Sequence, residues 1–282
     1  LRVADLDPAL LHAGAALLGA ASGLAATRVV DVMPRRLGLT HVARGAARAR
    51  RNLAVLASSI AIWIGVAHVL ARSPDVSLAR GGLLLVTNGL VAVSVIAAAA
   101  VDVEHMVLPN ALTLGPAVLC VLSSPARAVG LVGSVTGALG GVALAALPLL
   151  VYARVRGRSG LGLGDAKLAL MAGAWHGLVG VPFVLGLAAA QATIAAVLMR
   201  ALGVAYAVPA SVASDIAALR ARAASGDAEA KTDLDLDPMA TDAGEGVLAM
   251  RLPLGPFLAL ASIEVLFLRR WLIEHVVAWL AR

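Results

Sequence analysis

Charge, lysine and cysteine are all scarce in this chain of 282 residues. Only 14% of positions are charged, and 60% are hydrophobic. Soluble domains run nearer 45–50% apolar and about 25% charged. That contrast excludes a soluble globular enzyme, a disordered protein and a disulfide scaffold. The single cysteine, Cys120, lies inside an apolar run. It allows no intramolecular disulfide and no cysteine-cluster zinc site. Lysine occurs only at Lys167 and Lys231, so arginine supplies nearly all of the 23 basic residues. Mean hydropathy is +0.90 and the isoelectric point is near 10.6. The basic residues sit in loops between apolar runs, which points to membrane topology instead of nucleic-acid binding.

Apolar runs fall at about 9–27, 53–71, 82–101, 110–124, 129–152, 165–178, 182–199 and 253–270. They predict an all-α polytopic membrane protein with about eight transmembrane helices. The runs at 110–124 and 165–178 are short, as in segments that meet a thinned or water-filled region. Asp5 and Asp7 precede the first run and arginines follow it, the reverse of a signal peptide. With both termini outside, the inner segments 28–52, 102–109, 153–168 and 200–252 hold sixteen of the 23 basic residues. The positive-inside rule favours that orientation. Arg269 and Arg270 run against it. The C-terminal run spaces Trp271, His275 and Trp279 four apart, as in an interfacial helix with an aromatic anchor.

Composition shifts at 205–250, where aspartate and glutamate gather with little apolar periodicity after Arg222. The expectation there is a short amphipathic helix near 211–222 followed by a flexible cytoplasmic loop. Asp233, Asp235 and Asp237 resemble the start of a calcium loop. Pro238 replaces its glycine and Gly244 its last glutamate, which leaves a solvated acidic loop. Gly133, Gly137 and Gly141 share one helix face, a spacing for close helix packing. His12, His41, His68, His176 and His275 show no metal-ligand spacing, and His105 beside two acidic residues is weak evidence for one.

Ionisable residues at membrane spans are costly and mark functional candidates. Two segments stand out. One runs from Asp102 through Glu104 and His105 to Leu108-Pro109-Asn110. The other is Gly160-Leu161-Gly162-Leu163-Gly164-Asp165-Ala166-Lys167. Both fall at inner span ends, so Asp102 and Asp165 lie at one depth on one side. Two carboxylates brought close cannot both ionise cheaply and share a proton. The ionised one then takes a proton from water while the other polarises a carbonyl. Each aspartate alone also fits a bland role, Asp102 as a wet helix-end carboxylate and Asp165 as a helix N-cap. Glu104 is the one substitute for Asp102. The alternating glycines exclude a nucleotide-binding loop and allow close backbone approach. Pro109 suits the first turn of the next helix.

These residues resemble the type IV prepilin peptidases, membrane aspartic proteases with a Gly-x-Gly-Asp motif. Asp102 with Leu108-Pro109-Asn110 fits that family's first motif, and Gly162-Leu163-Gly164-Asp165-Ala166-Lys167 fits its second. Pro253-Leu254-Gly255-Pro256-Phe257-Leu258-Ala259 is similar to a third segment, with Leu254 in place of Phe. The likeness covers about 80–270. It implies catalysis by Asp102 and Asp165, supported by Gly162, Gly164, Lys167, Pro109, Asn110, Pro253, Gly255 and Pro256. It implies cleavage of the short basic leader of prepilins or pseudopilins at the cytoplasmic face of a bacterial inner membrane. No metal, cofactor or nucleic acid is called for.

Bifunctional members also N-methylate the product, using S-adenosylmethionine. Here Gly23 and Pro34 keep the spacing of their N-terminal signature. Thr27 and Val32 replace its Asn and Arg, and the loop 35–52 is short and cysteine-free. Residues 1–80 thus read as a reduced methyltransferase-like segment, and 81–282 as the peptidase domain. Partners are the substrate helix and membrane lipid. Two alternatives are a related protease acting on another membrane peptide, and a non-catalytic carrier or assembly protein with a carboxylate proton site.

Overall fold

The computed structural model of the chain describes residues 2–39, 43–156, 163–204, 208–236 and 252–277. Ten α-helices are present among them, and no strand beyond an isolated bridge between Arg2 and Ser77. They are α1 (Pro8–Arg36), α2 (Gly45–Ala71), α3 (Leu78–His105), α4 (Asn110–Ser123), α5 (Gly130–Arg156), α6 (Leu163–His176), α7 (Gly180–Ala201), α8 (Ala210–Ala224), α9 (Ala228–Leu236) and α10 (Gly255–Trp271). A π-helical turn, Leu272–Val277, continues α10.

Each of the eight apolar runs lies in a helix of its own. Five helices are long and apolar enough to cross a membrane: α1, α2, α3, α5 over Gly130–Leu147, and α7. Helices α4 and α6 have 14 residues each and α10 has 17. At about 1.5 Å per residue they fall short of a core about 30 Å thick. The sequence marks two of these as short; α10 is a third. Leu10, Leu17, Leu122 and Val132 are each more than 70% exposed. Surfaces of that kind belong in lipid, and the chain is an all-α multi-pass membrane protein.

Small residues set how close the helices come. On α1, Gly19 and Gly23 lie directly against Ser59 of α2. Gly89 of α3 leaves room for the buried Trp63 indole. The glycine face of α5 packs on α6: a Cβ at Gly137 would overlap the Gly173 carbonyl, and one at Gly141 the Ala169 carbonyl. A Cβ at Gly133 would meet only Val129 of the preceding turn, while its carbonyl lies 3.5 Å from where a Cβ at Gly177, just past α6, would stand.

At one pole, α1 ends, α2 starts and α3 ends in a polar cluster. The opposite pole is closed by Arg127, which is buried between α4 and α5. It donates to the carbonyls of Trp175 (2.5 Å), Ala174 (3.1 Å) and Cys120, and to Ser134 Oγ (3.4 Å). One guanidinium thereby satisfies helix-end carbonyls of both α4 and α6, where a cation also suits the helix dipole.

Within the 205–250 stretch, residues 208–236 hold more order than their composition suggests. The expected amphipathic helix is α8. The stretch after Arg222, read as flexible, instead forms a second helix, α9, folded back on α8. Asp227 caps it by accepting from the Glu229 and Ala230 backbone N–H groups, both at 3.1 Å. Ala230 of α9 and Ile216 of α8 are both buried. Residues 237–251, including Pro238 and Gly244, lie outside the described residues, as does Trp279.

Candidate active site

Asp102 sits in the last turn of α3 and is 5% exposed. The helix stops three residues later because Met106 turns left-handed, at φ 52°, while its N–H still donates to the Asp102 carbonyl at 2.8 Å. A non-glycine residue in that conformation is uncommon and marks a constrained turn. Leu108 is buried, and Pro109, in extended conformation, is the N-cap of α4.

The Asp102 carboxylate is gripped from the far end of the sequence. The Gly255 backbone N–H donates to Asp102 Oδ2 at 3.1 Å. Gly255 opens α10, where N–H groups have no helical partner and the dipole favours an anion. A Cβ at Gly255 would lie 2.9 Å from Asp102 Cγ, so only glycine allows this approach. Pro253 and Pro256 flank it, half-buried, and shape the entry to the helix.

Asp165 stands in the first turn of α6, half-buried, within electrostatic reach of Asp102. Gly164 beside it brings α6 onto the turn before α4, since a Cβ there would meet Leu108 Cβ at 3.1 Å. The three short helices α4, α6 and α10 are thus the ones whose beginnings carry the motif residues. The fold gathers Asp102, Asp165, Gly164, Pro109 and Gly255 at one pole. Asn110 is exposed and Lys167 half-buried, so neither is enclosed with Asp102. Gly162 lies outside the described residues.

Glu104, the substitute weighed for Asp102, is engaged by Arg51. Residues two apart on a helix point to different faces, and Glu104 Oε2 accepts from Arg51 at 2.7 Å. His105 is buried with its Nε2 3.8 Å from the same oxygen. Arg51 also pairs with Asp31, which Arg48 holds through Nε at 3.1 Å and Nη2 at 2.5 Å. Sequence reasoning missed this cluster. Its signal was available: Asp31 is the only acidic residue between Asp7 and Asp75 and ends a span beside arginines. A second omission is Glu264 of α10, which accepts from Gln191 Nε2 of α7 at 2.6 Å. His12 and His68 approach with ring centroids 5.6 Å apart. Among the described residues no group of three or more His, Cys, Asp or Glu is placed to hold a metal ion.

Residues 89–208 match the model of the Type IV leader peptidase family. Two curated relatives are each named prepilin leader peptidase/N-methyltransferase. The protein from Stutzerimonas stutzeri is 39% identical over 101 residues, which is 34% of this chain and 32% of that protein. The protein from Pseudomonas aeruginosa is 36% identical over 123 residues, 42% of this chain and 40% of its own length. The matched part of the chain thus spans less than half the length of either relative. No solved structure matches. The resemblance carried by the Asp102 and Asp165 motifs is borne out over 89–208. Gly255 and the Asp31–Arg51 cluster lie outside that segment.

Proposed function

We propose that this multi-pass membrane protein, whose residues 89–208 match the Type IV leader peptidase family, is an aspartic endopeptidase acting on prepilins or pseudopilins. The reading rests on a buried Asp102 at the end of α3 and an Asp165 in the first turn of α6 within electrostatic reach of it. Water between the two carboxylates is the nucleophile. One aspartate takes its proton while the other donates to the scissile carbonyl; the roles reverse as the amine leaves. The Gly255 N–H fixes the orientation of Asp102 and leaves its other oxygen for this work.

The substrate is a short basic leader followed by an apolar helix, cut at the cytoplasmic edge of the inner membrane. The sixteen basic residues on the inner side support that orientation. A cavity of about 530 Å³ lined by Arg35, Arg44 and Arg48 suits lipid headgroups at the same pole. The reaction as drawn uses no metal or cofactor. S-adenosylmethionine would enter only with N-methylation, which Thr27 and Val32 at the signature positions argue against. In the fold Gly23 serves close packing on Ser59, and Val32 is exposed.

The test is co-expression with a prepilin from the same genome, for wild type and for Asp102→Asn and Asp165→Asn. The mass and N-terminus of the product are then read. Leader loss that needs both aspartates is the expected result. A further gain of one methylene mass would restore methylation, and full cleavage by either variant would remove the aspartyl mechanism.

A further inference from the structure

The cluster at the end of α3 has no part in the water chemistry, yet it contains the least exposed arginine side chain among the ion pairs of the described residues. The Arg51 side chain is 9% exposed. It bridges two carboxylates on two other helices, Asp31 at the end of α1 and Glu104 in the last turn of α3. Asn52 Oδ1 accepts from Arg51 Nε and Nη2, both at 3.0 Å. Asp31 is fixed in turn by Arg48 and by Asn52 Nδ2 at 3.4 Å. Two cations and two carboxylates leave the cluster close to neutral. Such a partly buried network is expensive to break, because removing one partner strands the others.

We propose that Arg51 is a positioning residue for Asp102, acting through Glu104. Asp102 and Glu104 occupy the same helical turn on different faces. On one face the Gly255 N–H holds the Asp102 carboxylate. On the other, Arg51 anchors Glu104 to the α1–α2 pair. The turn ends immediately afterwards at left-handed Met106, so no further helix steadies it. Arg51 supplies the missing support. The first 80 residues, outside the segment matched to the peptidase family, thereby hold the α3 terminus at the geometry its aspartate needs. Displacing a reacting group by about 1 Å can lower a rate about a hundredfold. The inference rests on Asp102 being catalytic, as proposed above.

The experiment compares Glu104→Gln, Arg51→Met and the double variant, purified in lipid nanodiscs and assayed on a synthetic prepilin peptide, with Asp102→Asn alongside. Rates are taken per folded molecule from the monodisperse fraction. Positioning predicts that Glu104→Gln lowers kcat roughly tenfold or more, with KM within about twofold. It also predicts that the double variant is no slower than the slower single, since the pair acts as one unit. A purely structural salt bridge would lower yield and thermal midpoint and leave kcat untouched, which overturns the proposal. If Arg51→Met does not fold, Glu104→Gln decides alone, because it keeps the Asp31–Arg48–Arg51 contacts. Cleavage by Asp102→Asn would defeat the aspartyl reading itself. An inactive Asp102→Asn beside a Glu104→Gln of normal kcat would defeat only the positioning role.

Discussion

Gly255 and Asp102 lie 153 residues apart in the chain and meet through a 3.1 Å hydrogen bond, backbone N–H to carboxylate. The contact joins the start of α10 to the end of α3. It explains why a Pro-Leu-Gly-Pro segment with no ionisable group belongs to the site.

Gly255→Ala tests that contact. The added methyl would sit against the Asp102 carboxyl carbon and push it out of register. Leader cleavage should fall by about a hundredfold, with the protein still inserted and folded. A cleavage rate equal to wild type would show that Asp102 does not work from this position.

The opposite pole should behave differently. Arg127→Met removes the guanidinium from the carbonyls of Cys120, Ala174 and Trp175, of which Ala174 keeps the Ser134 hydroxyl at 2.7 Å and Cys120 the Ser123 hydroxyl at 3.3 Å. The loss should destabilise the fold by about 2–4 kcal/mol. Because Arg127 is remote from both aspartates, cleavage per folded molecule should stay near wild type. Thermal unfolding in nanodiscs and an activity assay on the same sample check both statements.

Gly137→Leu inserts a side chain where α5 and α6 touch backbone to backbone. Overpacking there should cost about 1–3 kcal/mol. It should also lower activity, since α6 carries Asp165. Gly14→Leu, at an open position on α1, is the control and should change neither property.

How much of this was legible in sequence depends on the interaction. Hydropathy located the eight apolar helices, five of them long and apolar enough to cross a membrane, because a helix in lipid needs an unbroken apolar run. The Asp102 and Asp165 motifs pointed to the site because carboxylates at span ends are costly. Helix α9 escaped, since Glu229, Lys231, Asp233 and Asp235 show no apolar stripe. Its order comes from the Asp227 cap and from packing on α8. The Asp31–Arg51–Glu104 bridge escaped for a different reason. It joins three helices, and nothing local tells which arginine of the 44–51 run turns inward.

The α8–α9 hairpin carries a pH signature outside the membrane spans. The Ala230 N–H, then the Arg222 guanidinium at 2.6 Å, hold the Asp227 carboxyl below its ordinary value of 3.8. A lowered folded value stabilises the hairpin above the unfolded value. That stability drains away as pH falls below 3.8 and through the folded value. Hydrogen exchange over 210–236 in the intact protein should therefore quicken in strong acid relative to pH 6, after correction for intrinsic rates. Asp227→Asn should flatten that dependence and loosen the hairpin at neutral pH. An unchanged profile in the variant would assign the capping role elsewhere.

The central claim is that two aspartates activate one water. Its most direct measurement is single-turnover cleavage of a prepilin peptide by purified protein in nanodiscs, for wild type, Asp102→Asn and Asp165→Asn. The account predicts leader release by wild type and a loss of about 10²- to 10⁴-fold in each variant, with substrate binding retained. Cleavage by either variant within about tenfold of wild type, outside that range, would contradict it.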